Sequence, residues 1–242
     1  MRTIQVDGKV RFYLNSAGND LWIRECVFPG KQGGYFVEAG AADGVSNSSC
    51  YLLERKLGWS GICVEPHRGF FDRLTQTRPN STHEFACLSS ACGTVLFLEG
   101  QKGTEDAYYS GVKTNLELFK DKSGEILDRG SEVPRQALTL EELLRKHAAP
   151  AHIDYAAFDM EGSEFEVLKD FPFSRYRFGA ISLECDGKIW DSITELMTRN
   201  GYREVRNPFN VDEPWERYWL HETTPNPRTP EIITGPDPRR AA

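Results

Sequence analysis

Three acidic residues stand where strands would aim them into a ligand cleft. Asp159 and Glu161 close the stretch AAFDME and Glu184 closes ISLE, with Asp186 just beyond. Carboxylates at strand ends serve two chemistries. One takes a proton from a weakly acidic hydroxyl as a general base. The other holds a hard divalent cation such as Mg²⁺, which binds through a few carboxylates and keeps several waters, with Asp159 and Glu184 as the ligands. Plainer roles compete: Glu161 before Gly162 complements a helix N-terminus, Ser163 with Glu166 reads as a capping box, and Glu164 is expected on the exposed face of that helix.

A second constellation lies upstream in YFVEAGAADGVSNSS, residues 35–49, where a strand turns through Gly40 and Gly44 with Glu38 and Asp43 bracketing the turn. A dinucleotide fingerprint, GxGxxG, uses its middle glycine to bring backbone close to a pyrophosphate. Here alanines fill that space and Asp43 places negative charge where phosphates would lie. The acid suits a ligand with an amino group or a sulfonium, and exposed turn amides would take its carboxylate; S-adenosylmethionine has all three. Glu65, 25 residues after Gly40 at the end of WSGICVE, stands where an acid accepts hydrogen bonds from a ribose diol. That acid serves NAD equally, so Asp43 and the missing glycine make the choice. The competing reading is a tight turn beside a solvated strand end.

The elements that must position these residues follow from periodicity. YFVEAG, WSGICVEP, THEFACLSS, IDYAAFDM and GAISLECDG read as strands alternating with the helices SNSSCYLLERKLG, HRGFFDRLTQTR, SEFEVLKDF and WDSITELMTRNG. Ser46 to Ser49 offer N-caps, Gly58 a helix stop, and Thr139 with Glu142 a capping box for TLEELLRKHA. YREV and RYWL suggest a closing antiparallel pair. The expected fold is α/β, a doubly wound, mostly parallel, seven-stranded Rossmann-like sheet. Residues 1–34 form an N-terminal segment packing on a single domain at 35–222. Within it, 93–135 lacks clear periodicity beyond VLFL and reads as a lid or acceptor-binding insertion. The proline-rich tail, 223–242, is expected to be loosely draped.

At 242 residues the chain can build one sizeable core. A net charge of -7 without a basic run argues against a nucleic-acid partner. No stretch reaches the length of a membrane span, and MRTIQVDGKVRF lacks a signal-peptide core, so a cytoplasmic protein with no membrane partner is expected. The six cysteines form no CxxC pair and read as small hydrophobes. A homo-oligomer stays open.

Taken together, NDLWI at 19–23, GGYFVEAGAADGVSNSS at 33–49, LGWSGICVEPHRGFF at 57–71 and IDYAAFDMEGSEFEVLKDFPF at 153–173, followed by ISLECDG, resemble the FkbM-type methyltransferases. That resemblance implies a class I methyltransferase fold over about residues 19–205 and transfer of a methyl group from S-adenosylmethionine to an oxygen of a sugar, polyketide or other secondary metabolite. Such a transfer is an in-line displacement, with the acceptor oxygen about 3 to 3.5 Å from the methyl carbon. Asp159 and Glu184 are then the catalytic candidates. The cofactor candidates are Glu38, Gly40, Ala41, Asp43, Gly44, Asn47 and Ser48 at the turn, Glu65 and Pro66 after the second strand, and Cys87 and Leu88 facing adenine. Phe158 and Asp159 complete that set on the fourth strand. Tyr108 and Tyr109 in DAYYSG would stack on a hydroxylated small-molecule acceptor. His67 is either a base, an adenine contact or a partly exposed helix-start residue. Two other readings remain, an NAD-linked oxidoreductase and a non-catalytic adenosyl-ligand or protein-binding module.

Overall fold

The structure is a computed structural model that describes residues 1–101, 103–118, 127–185, 187, 189–211 and 213–233. Asp186 therefore lies outside the described residues. Three sheets organise the chain. A hairpin of β1 (Arg2–Val6) and β2 (Lys9–Tyr13) opens it. The main sheet contains β3 (Tyr35–Ala39), β4 (Ser60–Val64) and β5 (Thr82–Glu84). A smaller sheet follows, built from β6 (Cys87–Leu88), β7 (Gly93–Glu99), β8 (Gly111–Val112) and β9 (Ser131–Leu138). The chain then returns to the main sheet with β10 (His152–Phe158), β11 (Arg177–Glu184), β12 (Tyr202–Val205) and β13 (Glu216–His221). Finally β14 (Ile232–Ile233) pairs with β1.

The main sheet runs β12-β13-β11-β10-β3-β4-β5, with β13 antiparallel to both neighbours and the other pairings parallel. Both faces are covered, which explains strands that read as continuous apolar runs. Val37, Ile62, Ala156 and Phe158 point into one core, under the helices Leu140–Lys146, Glu164–Leu168 and Trp190–Arg199. Their strand neighbours Phe36, Cys63, Tyr155 and Ala157 point into the other, with Leu53 and Leu74 from the helices Tyr51–Leu57 and Arg68–Thr77. Strand order reverses between β3 and β10, leaving a crevice at their carboxyl ends.

Several local expectations change. THEFACLSS is not one strand: β5 ends at Glu84, and β6 joins the smaller sheet beside β9. The 93–135 insertion holds strands β7, β8 and most of β9, a 3₁₀ turn at Glu105–Tyr109 and a helix at Lys113–Leu118. Its pairing with β6 is long-range, which is why local periodicity missed it. Thr139 caps its helix by accepting from the Glu142 amide at 3.1 Å. Ser163 makes no such cap; its hydroxyl accepts instead from Asn115 at 2.7 Å. Glu164 is buried rather than exposed, with its carboxylate on the Met160 amide at 2.6 Å. The tail is tied down as far as residue 233, by Thr224 on the Gly179 carbonyl, an Arg228–Asp7 ion pair and β14. The described helices include none long and apolar enough to cross a membrane.

One buried ion network holds the turn after β3 to the helices behind it. Glu38 accepts from the Ser48 hydroxyl and the Ser49 and Cys50 amides on one oxygen, at 2.7, 2.8 and 3.1 Å. Helix Tyr51–Leu57 is thus capped from the strand below, with Ser48 adding a bond to the Tyr51 amide. Its other oxygen meets wholly buried Arg78 at 2.8 Å, and Arg78 reaches Glu54 at 2.7 Å and the Gly44 carbonyl at 3.2 Å.

Two predictions follow from these buried charges. Arg78→Ala strands two buried carboxylates and should cost about 3–5 kcal/mol in urea denaturation, and Arg78→Lys should rescue only part, since one ammonium lacks the forked reach of guanidinium. Burial, then the charge of Glu184, pushes the Glu164 carboxyl from 4.5 to about 8. A folded state that keeps a proton the unfolded chain has released loses stability as pH rises through that window. Glu164→Gln retains the acceptor for Met160 and removes the titration. Its melting temperature relative to wild type should therefore climb between pH 4.5 and 8, by about 2–4 °C per kcal/mol. A flat difference across that range rejects the assignment.

Candidate active site

The crevice between β3 and β10 widens into a cavity of about 360 Å³ at the carboxyl ends of β3, β4, β10 and β11. Its narrowest backbone contact lies at Gly40, which has φ +80°, and where a Cβ would sit 1.8 Å from the Asp159 carbonyl. Only glycine permits this approach. The turn itself is closed on the protein: the amides of Gly40 and Ala41 bond to the Val64 carbonyl, Ala42 to Glu65, and Gly44 to Ala41. Those of Val45 and Ser46 bond to Asp43 at 3.0 and 2.7 Å. Of the amides expected to cradle a ligand carboxylate, those of Gly40, Ala41, Ala42, Gly44, Val45 and Ser46 are therefore already occupied.

Asp43 is corrected by the same geometry. Its carboxylate closes the turn and does not line the cavity. Against the desolvation of its site, the amides of Ser46 and Val45 hold its carboxyl below the usual range. Gly44 is also outside the lining; a Cβ there would press on Thr77, Arg78 and Leu74 at 2.6 to 2.8 Å, so its role is packing against helix Arg68–Thr77. Glu38 lines the cavity but is committed to the buried network. Asn47, in a left-handed conformation at φ 57°, also lines the cavity, and it accepts from the Ser16 amide and the Asn15 side chain, fastening the turn to the N-terminal segment.

The remaining cofactor candidates, Gly40, Ala41, Ser48, Glu65, Pro66, Cys87, Leu88, Phe158 and Asp159, do line the cavity. Glu65 holds Ala42 and His67 amides at 2.7 Å on separate oxygens, and burial pushes its carboxyl up to about 7 despite these bonds. His67 is a buried N-cap, neither partly exposed nor in the lining: Nδ1 accepts from the Gly69 and Phe70 amides, and Nε2 donates to the Gly100 carbonyl at 3.0 Å. This bond and the Arg135 contact with the Pro66 carbonyl at 2.7 Å lock the smaller sheet onto the second strand end. Tyr108 and Tyr109 line the cavity, each about half exposed, with Tyr108 packed on Phe70 at 4.8 Å between centroids. Burial raises the thiols of Cys63 and Cys87 to about 12, which fits their reading as apolar filler.

Asp159 and Glu184 are brought together, and Glu161 joins them: carboxylate oxygens of the three lie within 4.8 Å of one another. Glu161 reaches this position with φ 52° before Gly162 at φ 90°, a backbone path ordinary side chains avoid. Two unit charges 4 Å apart repel by roughly 4 kcal/mol at an effective dielectric near 20. Burial, then Glu184 and Glu161, accordingly drive the Asp159 carboxyl well above the usual carboxylate range. Close acids by themselves are no sign of a metal.

One wall was not legible in the sequence. Asn15 and Asn19 line the cavity from the N-terminal segment, and Trp215 and Glu216 line it from the start of β13. The buried Asn19 amide faces Ser49, Ser182 and Glu216 at 3.2, 3.2 and 2.7 Å, and its oxygen accepts from Tyr218 at 2.9 Å. Burial pushes Glu216 up to about 7 despite the Asn19 bond. NDLWI contains Asn19, yet nothing local marks the residue as a meeting point of elements up to 199 positions away.

Solved structures that resemble the chain include a TehB-like SAM-dependent methyltransferase from Corynebacterium glutamicum, at 9% identity over 84% of this chain and 86% of that one, TM-score 0.43. The Precorrin-6y C5,15-methyltransferase from Geobacter metallireducens shares 12% identity over 85% and 84%, TM-score 0.45. The fibrillarin pre-rRNA processing protein of Methanococcus jannaschii shares 12% over 91% and 82%, TM-score 0.42. A comparison with curated proteins gives no match. Residues 38–204, from the end of β3 to β12, match the Methyltransferase FkbM domain, and the chain belongs to this family of S-adenosylmethionine-dependent methyltransferases.

Proposed function

We propose that the enzyme is an O-methyltransferase acting on a hydroxyl of a small molecule. The observation that carries this reading is Asp159: a carboxylate open to the cavity at the switch point of the sheet, beside Gly40 and with oxygens of Glu161 and Glu184 within 4.8 Å, whose affinity for a proton is raised by desolvation in the cleft and by those two acids. A carboxyl so tuned is suited to accept a hydroxyl proton as the oxygen becomes a nucleophile. Glu184 sets that affinity by its charge. The methyl donor supplies an electrophilic methyl group on a positively charged sulfur.

The residues present fit such a donor. The cavity takes its charge from acids, the closed turn offers no free row of amides to a pyrophosphate, and Gly40 leaves room beside Asp159. Glu65, whose two oxygens each keep a lone pair beyond their amide bonds, would receive the ribose hydroxyls. Cys87, Leu88 and Phe158 offer apolar walls for the flat base, and Tyr108 and Tyr109 a stacking surface for the acceptor. The occupied turn amides also speak against the NAD-linked alternative. Three acids within 4.8 Å of one another are no sign of a metal, and this reading assigns none to Asp159 and Glu184.

Calorimetry should show binding of S-adenosylmethionine and none of NAD⁺, and a screen of hydroxylated metabolites should find a mass gain of one methylene with release of S-adenosylhomocysteine. Asp159→Asn should lower kcat by about 10²- to 10⁴-fold, the usual contribution of a positioned base, with cofactor affinity changed much less. Unaltered kcat removes Asp159 from the chemistry. Treatment with a chelator should leave turnover as it was; loss restored by added Mg²⁺ would reinstate the metal.

A further inference from the structure

S-adenosylmethionine carries a carboxylate at its methionine end, and the cavity must hold that anion without a counter-charge. Among the described residues, no lysine, arginine or histidine lines the cavity. The amides of Gly40, Ala41, Ala42, Gly44, Val45 and Ser46 are bonded within the protein. What is left to receive the carboxylate is a group of uncharged donors, gathered where the N-terminal segment meets the end of the turn. The inference rests on this methyl donor and is independent of the acceptor.

Ser16, Asn47 and Ser49 all line the cavity and belong to one hydrogen-bonded group. The Ser16 amide donates to Asn47 Oδ1 at 2.6 Å, which fixes the orientation of that side chain and leaves Nδ2 on its other side. Asn15 Nδ2 joins the group together, reaching the Asn47 carbonyl at 2.9 Å and the Ser49 hydroxyl at 3.2 Å. Asn19 Nδ2 reaches the same hydroxyl at 3.2 Å. A hydroxyl has two acceptor positions and one proton. Both acceptor positions of buried Ser49 are taken by these amides, and its proton has no acceptor among the described residues. The same holds for Asn47 Nδ2 and the Ser16 hydroxyl. The other serines of the turn are committed, Ser46 to Asp43 at 2.8 Å and Ser48 to Glu38 at 2.7 Å.

The group is also built in advance. Asn47 is held at φ 57°, a left-handed backbone that costs an asparagine less than most residues. The segment bearing Ser16 is pinned from both directions, by Asn207 on the Ala17 carbonyl at 2.9 Å and by Asp20 on the Leu14 amide at 3.1 Å. Donors fixed in this way lose little freedom when an anion arrives.

We infer that Ser16, Asn47 and Ser49 form a neutral clamp for the carboxylate of the methyl donor, so that the N-terminal segment, which precedes the matched residues 38–204, supplies one side of the donor site. Bonds from uncharged donors to a carboxylate carry charge-assisted strength. A lysine or arginine in this wall would draw the acids of the cavity toward their ionised forms. Neutral donors hold the carboxylate without that effect.

The test compares S-adenosylhomocysteine with its decarboxylated form, which keeps the adenosine, the sulfur and the ammonium, by calorimetry on the full-length enzyme. Wild type should bind the carboxylated ligand at least about tenfold tighter. Asn47→Asp keeps an acceptor for the Ser16 amide and exchanges a donor for a negative charge. It should weaken S-adenosylhomocysteine at least about tenfold and leave the decarboxylated ligand unchanged or tighter. Ser16→Ala should weaken S-adenosylhomocysteine by roughly three- to tenfold, with the decarboxylated ligand within about twofold of wild type. Circular dichroism verifies folding, and Asn47→Gly, suited to the positive φ, replaces the aspartate variant if that one does not fold. A merely structural role would shift both ligands together, so equal losses in the variants, or equal affinity of wild type for the two ligands, overturn the clamp. Binding of neither ligand overturns the donor as well. A clamp that behaves as expected while hydroxylated acceptors yield no methylated product stands, and only the O-transfer falls.

Discussion

The structure depends on a charge that never meets water. Arg78 sits between Glu38 and Glu54 with no exposed surface, and the Phe36 ring lies 5.2 Å from its guanidinium carbon. Glu38 ends the first strand of the main sheet, Glu54 lies on the helix that follows the turn, and Arg78 ends the next helix. Three successive elements are therefore fixed to one another at the point where the sheet opens. Each member needs the others, because an isolated buried charge is far costlier than a paired one. The turn inherits this rigidity: the amides of Gly40, Ala41, Ala42, Gly44, Val45 and Ser46 find partners inside the protein, and Gly40 is held against the neighbouring strand end.

A rigid turn explains how the cleft tolerates its acids. Asp159, Glu161 and Glu184 would separate if the strand ends were free to splay, but Asp159 is bonded through its amide to the Ala39 carbonyl and the backbone at Gly40 admits no slack. The electrostatic tension appears as proton affinity instead of movement. Asp159, Glu164, Glu216 and Glu65 all hold protons more tightly than solvated acids do. Such preorganisation is costly in the resting protein and useful when charge develops at a reacting oxygen.

How much of this the sequence disclosed depends on the range of the interaction. Strands β3, β4, β10 and β11 were readable from their apolar runs, and the closing pair β12 and β13 from two short patterned segments, because burial on both faces leaves a local mark. The meeting of Asp159 and Glu184 followed from their places at strand ends, whereas Glu161, read as a complement to a helix N-terminus, joins them through a left-handed backbone. Asp43 was misread since an acid in a turn has two customers, a ligand or its own backbone, and the local amides at Val45 and Ser46 are nearer. Ser163 and Glu166 had the spacing of a capping box, yet tertiary contact with Asn115 took the serine. The smaller sheet and the Asn15, Asn19, Trp215 and Glu216 wall were invisible, since each arises from pairings between distant parts of the chain.

That last wall bears on how the protein comes into being. Asn19 emerges early in synthesis, but its partner Glu216 is added 197 residues later. Until then the nascent chain has the donor-side turn and strands without the surface that completes the pocket. Binding competence thus arrives only with the closing strand, because Trp215 and Glu216, which complete the pocket wall, are added with it.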